Sequence, residues 1–149
     1  MWKLHSGDRI GHWRSFRKFL DGLDLETALQ QTAEFWQQCP YEPFYLDRYP
    51  LDQWPTPWEL IGENYYCDLA KALGIVYTMG LTLHGEWLDA EIHVYNDPTT
   101  GYTYNLAAFD HGKYMLNYRD GTVVNKESLD KKLKLVTVYG NEQLKLKEY

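Results

Sequence analysis

The chain has 149 residues, of which 44% are hydrophobic and 24% charged, enough to pack one domain's core. That excludes a wholly disordered chain, and no run approaches the length of a membrane-spanning helix. Fifteen basic residues against twenty-one acidic ones leave a net charge of -6, which argues against nucleic acid as a partner, because phosphate neutralisation supplies most of that affinity.

The opening stretch from Met1 to Arg9 has no apolar run of the kind a signal peptide needs, so a cytoplasmic protein is expected. Trp13, Phe16 and Leu20 fall on one face of a predicted helix over 12–20, closed by Asp21-Gly22. Asp24 is a good N-cap for a second helix over 25–38, whose apolar stripe includes Leu29, Trp36 and Cys39 and which Pro40 stops. The basic clusters at 14–18 and 131–134 sit among acids and are expected to be solvated faces.

The connection over 40–57 holds five of the six prolines together with Tyr41, Phe44, Tyr45, Tyr49 and Trp54. It is too aromatic for a flexible linker and should lie against something, and those five rings are the predicted partner contact. Thr56-Pro57-Trp58-Glu59 is a capping box with proline at the first helical position. Trp58, Ile61, Tyr65, Leu69 and Ala72 keep phase to Leu73, which predicts one helix with Gly74 past its end. A break at Gly62, with Asn64 capping a second helix, is the competing reading.

From 75 onward the pattern predicts strands over 75–83, 90–96, 102–109, 113–118 and 133–139, with turns at Asp97-Pro98-Thr99-Thr100-Gly101, Asp110-His111-Gly112 and Arg119-Asp120-Gly121. A short helix over 126–132 and a loose charged tail from 141 complete the chain. Helices first and a β-meander after predict a single α+β domain, with N-terminal helices on one face of an antiparallel sheet. The core is expected to include Trp36, Leu29, Trp58, Leu69, Ile92, Val94, Leu106 and Phe109.

Two cysteines make a poor disulfide framework, and both are read as reduced thiols. Cys67 is the candidate nucleophile and His93 its base, since a thiol attacks a carbonyl only as thiolate. If the 97–101 turn closes with Asp97 opposite Gly101, His93 faces Asn105, and Asn105 orients the imidazole. Asp110 takes that place only with a bulge or a different register. Against this stands a plain packing role, Cys67 as a buried thiol in mid-helix and His93 as a paired sheet residue. His84, Glu86, Glu91 and His93 have ligand types suited to a metal, but no supporting pattern, so no metal is expected. There is no glycine-rich phosphate loop, and no cofactor is expected.

The stretch 66–75, then 91–95, then Asn105 or Asp110, resembles the transglutaminase-like branch of the papain-like cysteine superfamily. The resemblance implies a cysteine on a helix ahead of an antiparallel meander, a histidine on one strand and an acid or amide on the next, acting on an amide. Three other stretches, 6–14, 54–60 and 95–102, together resemble small proteins from tailed-phage structural gene clusters. That resemblance implies a virion or assembly component docking on other protein subunits, made in the cytoplasm of the producing cell. The leading expectation is a non-enzymatic protein–protein interaction module, with the thiol enzyme as its alternative.

Overall fold

A computed structural model describes residues 1–43, 46 and 53–149. Among the described residues five α-helices, α1 (Ser6–Asp21), α2 (Leu25–Gln37), α3 (Pro57–Ile61), α4 (Asp68–Gly80) and α5 (Asn141–Leu144), accompany one sheet. Its strands are β1 (Ala90–Asn96), β2 (Thr103–Phe109), β3 (Tyr114–Leu116), β4 (Val123–Val124) and β5 (Lys134–Tyr139). They run antiparallel in the order β4-β3-β2-β1-β5. The α+β arrangement is the expected one.

The inner face of the sheet presents Ile92, Val94, Ala107, Phe109 and Leu116 to a core shared with α1, α2 and α4. Two buried indoles lock this layer. Trp13 of α1 and Trp36 of α2 both donate to the Thr78 hydroxyl on α4, at 3.1 and 2.9 Å, and Thr78 in turn donates to Gly74 O at 2.6 Å. Arg9 ties the N-terminus to the end of α3 through the carbonyls of Trp2, Leu4, Ile61 and Glu63. The outer face carries a second cluster of Tyr95, Leu106, Ala108 and Met115 under Leu129.

Several expected elements differ. The Thr56–Glu59 capping box is present, but α3 stops after one turn at Gly62, and the next helix is capped by Cys67, not Asn64. Residues 75–80 of the predicted strand over 75–83 form the second half of α4, and 81–83 follow its end. Every residue from Leu69 to Met79 is buried, and a helix surrounded by protein shows no one-sided periodicity. Trp58, expected in the core, lies at the rim of α1 with 39% of its surface exposed. The tail from Asn141, expected to be loose, forms α5 with Leu144 buried, and Leu146 packs near Gly80.

The 97–101 turn is one residue longer than its sequence suggests. Asn96 pairs with Thr103, and the six residues between them close by Asp97 N–H donating to Tyr102 O and Gly101 N–H to Asp97 O. Asp97 Oδ1 holds the loop by accepting from Thr99 and Thr100, and Gly101 takes up the left-handed φ of 76°. A slip of one residue turns every side chain to the other face. His93 therefore pairs with Leu106 and Val94 with Asn105, and the expected His93–Asn105 pair does not form.

Candidate functional site

Gly62 ends α3, and the chain between it and α4 is steered by Tyr66. Its ring is buried, its hydroxyl donates to Leu60 O at 2.7 Å, and its backbone pairs with residues 40–42. Tyr66 N–H donates to Pro40 O at 2.8 Å, and Glu42 N–H to Tyr66 O at 3.1 Å. Cys67 follows in extended conformation, and its carbonyl accepts from Lys71 N–H at 2.9 Å to start α4. The thiol thus stands at a helix N-terminus and not in mid-helix. It is 4% exposed; Leu46 N–H donates to Sγ at 3.3 Å, and Sγ lies 3.7 Å from Leu46 O.

Polar side chains gather round this first turn. Asp68 Oδ2 accepts from the Tyr102 hydroxyl at 2.5 Å and from the Tyr41 hydroxyl at 3.3 Å. A carboxylate is favoured there by the positive end of the helix dipole. Burial, and then the hydrogen bond to Asp68, push the Tyr102 phenol up; burial and Asp68 do the same to Tyr41. Neither phenol is a base near neutral pH. Asn117, at a left-handed φ of 75°, donates from Nδ2 to Asp68 O at 3.0 Å and to Asn105 O at 2.9 Å, joining the helix to β2. One turn further, the nearly buried Lys71 ammonium meets Asp120 at 3.3 Å. Behind it, burial pushes the Cys39 thiol up to about 12.

Of the four proposed catalytic residues, only Cys67 and Asn105 belong to this neighbourhood, Asn105 through its carbonyl. His93 shares the outer face of β1 with Tyr95, their rings 6.4 Å apart, so the sheet lies between it and the α4 core. Its Nε2 pairs with Glu91 at 3.0 Å. Asp110 sits in the β2–β3 turn at a φ of 51°, beyond the opposite end of β2 from Asn105. Among the described residues no group of three or more His, Cys, Asp or Glu could hold a metal ion. Of the proposed contact rings, Tyr41 is half-exposed, and Trp54 packs on Tyr139 with ring centroids 5.0 Å apart. Phe44, Tyr45 and Tyr49 lie outside the described residues.

Asp68, Tyr102 and Asn117 were not singled out by sequence reasoning. An acid directly after a cysteine, at the start of an apolar helix, was the available sign for Asp68. Nothing local marks Tyr102 and Asn117, because tertiary folding brings them in.

A helix capped by a cysteine, packed on an antiparallel meander behind a helical N-terminal half, is the arrangement that the resemblance to the transglutaminase-like branch implies. The chain is similar to LapG of Legionella pneumophila. Against its calcium-bound form the TM-score is 0.73 at 17% identity, covering 94% of this chain and 78% of that one. Against another LapG structure the TM-score is 0.72 at 16% identity, covering 91% and 75%. At such identity the likeness is one of fold. No protein-family model matches the sequence, and no curated protein does.

Proposed function

We propose that this chain is a transglutaminase-like domain working as a protein-interaction module, one that docks on other protein subunits without using Cys67 as a nucleophile. The surroundings of the thiol carry this reading. Thiol attack needs a group to take the proton, and an imidazole is the usual one. Sγ is engaged by the backbone of Leu46, and the five histidines are placed elsewhere. His5 and His12 belong to α1 and its cap, and His84 lies 3.0 Å from Leu20 O. His93 is on the outer face, and His111 pairs with Asp89 at 3.0 Å. What the site offers instead is surface. Tyr41 and Tyr102 are 50% and 46% exposed, with hydroxyls fixed by Asp68, and the belt continues through Tyr104 and Tyr118 at centroid spacings of 4.6 and 5.4 Å. Rings already held lose little entropy on binding.

Two observations favour the thiol enzyme acting on an amide: the likeness in fold to LapG, and the place of Cys67 as the cap of α4, with its sulfur at the positive end of the helix. Iodoacetamide separates the two. On the native chain, labelling of Cys67 should be slow at all pH values up to about 8 and unchanged by His93→Ala. Rapid labelling below about pH 7, with turnover of a fluorogenic amide lost in Cys67→Ala, would replace the module with the enzyme.

A further inference from the structure

We propose that the outward face of α1 docks an acidic segment of a partner protein on Arg14, Arg17 and Lys18. These residues fall on one stripe of the helix, with Gly7 and Gly11 continuing it toward the N-terminus. Among the described residues none of the three cations is in a salt bridge. The one acid on the stripe, Asp21, already accepts from Leu83 N–H at 2.8 Å through Oδ1. In a chain of net charge -6 this face is locally cationic, so it complements a negatively charged partner.

Arg17 is built to hold a carboxylate. Its guanidinium lies 4.3 Å from the centre of the Trp13 ring and 5.6 Å from that of Trp58, and Trp13 is itself fixed by Thr78. Stacking pre-orients the planar fork that matches a carboxylate through paired hydrogen bonds. Its Nε is buried and has no hydrogen-bond partner among the described residues, so a donor stands unpaired in the free chain. Burial and then the neighbouring Arg14 charge hold the guanidinium below its usual range against the weaker opposing pull of Asp21, and an incoming carboxylate relieves the repulsion from Arg14.

The glycines fit the same purpose. A Cβ at Gly7 or Gly11 would meet nothing within 4 Å, so no packing demands glycine there, although each weakens the helix relative to alanine. Their bare backbone lets an extended segment approach closely. A peptide fits better than a nucleic acid, because the whole chain repels a long polyanion while a short acidic segment senses mainly the local face. The exposed rim of Trp58 adds an apolar contact beside the cations.

A fluorescein-labelled oligoglutamate peptide, titrated with the full chain and followed by anisotropy, tests this. Binding should weaken as salt rises, and Arg17→Glu should lower affinity about tenfold or more. Arg17→Lys should also lose affinity, since an ammonium lacks the fork, whereas Lys113→Glu with Lys126→Glu should not. The Arg17 Nε–H resonance should shift on titration. If charge reversal unfolds α1, the pair Arg14→Gln and Lys18→Gln, which leaves Arg17 on Trp13, should still weaken binding. The proposal is overturned if the peptide does not bind, or if it binds equally to natively folded charge-reversed chain. Tighter binding of a DNA duplex or of anionic vesicles than of the peptide overturns it as well.

Discussion

Gly74→Ala should destabilise the protein by about 3 kcal/mol, although alanine is the better helix former by about 1 kcal/mol. Gly74 lies within α4 against the flat of the Trp36 indole, and an added Cβ would stand 2.3 Å from two of its ring carbons. The ring cannot swing aside cheaply. Trp2, Tyr66 and Phe35 surround it with centroids 5.0, 5.4 and 5.9 Å away, and its N–H is held by Thr78. Overpacking of a closed core costs up to about 3 kcal/mol, and losing the indole hydrogen bond adds about 1. The helix-propensity gain offsets about 1 of that total. Urea unfolding followed by circular dichroism should show the midpoint falling by roughly 1.5 M, for a slope of about 2 kcal/mol per M. Gly74→Ala combined with Trp36→Leu should lose less than the sum of the two single changes, because the smaller side chain leaves room for the methyl. An unchanged or raised midpoint in Gly74→Ala would refute the close approach of the indole.

Cys39, whose thiol is pushed up to about 12 from an ordinary 9.0, favours the protonated native state. Its contribution is full below pH 9.0 and declines as pH rises toward 12, since the unfolded thiol ionises first. Cys39→Ala should therefore flatten part of the alkaline loss of stability in urea titrations between those limits. Asn117→Ala should cost about 2 kcal/mol, through two lost hydrogen bonds and the left-handed backbone, and Asn117→Gly less, because glycine accepts that conformation. Asp68→Asn should bring the Tyr102 phenol down toward its ordinary value, visible by ultraviolet titration as the phenolate absorbance that Tyr102→Phe removes. An unmoved Tyr102 titration would show that burial alone raises it.

The sequence made much of the helical half legible, and the reasons are local. Asp24 caps α2 by accepting from Thr27 N–H, and the Thr56–Glu59 box closes with both of its hydrogen bonds. The same logic failed at Gly74, which reads as a helix stop but serves as the seat of Trp36. A contact between residues far apart in sequence leaves no local mark. The expected pairing of His93 with Asn105 does not form, for a finer reason. Cys67 was recognised, but its place at a helix start depends on Tyr66 pairing with the segment at 40–42. Whether His93 shares a face with Asn105 depends on one residue of turn length, which Gly101 and the side chain of Asp97 decide together.

The shared acceptor at Thr78 bears on how the helical layer comes apart. One hydroxyl oxygen receives two indole N–H groups from two different helices, and neither indole finds a replacement if it leaves. Peeling α1 away strips Trp13 of its bond, and peeling α2 away strips Trp36, so each helix is keyed to α4 at one point. The three should then open as a single cooperative unit. In native-state hydrogen exchange the amides flanking Trp13, Trp36 and Thr78 would share one opening free energy and one denaturant slope. Thr78→Val, which keeps the shape and removes the oxygen, would divide that unit, so that α1 exchanges ahead of the rest.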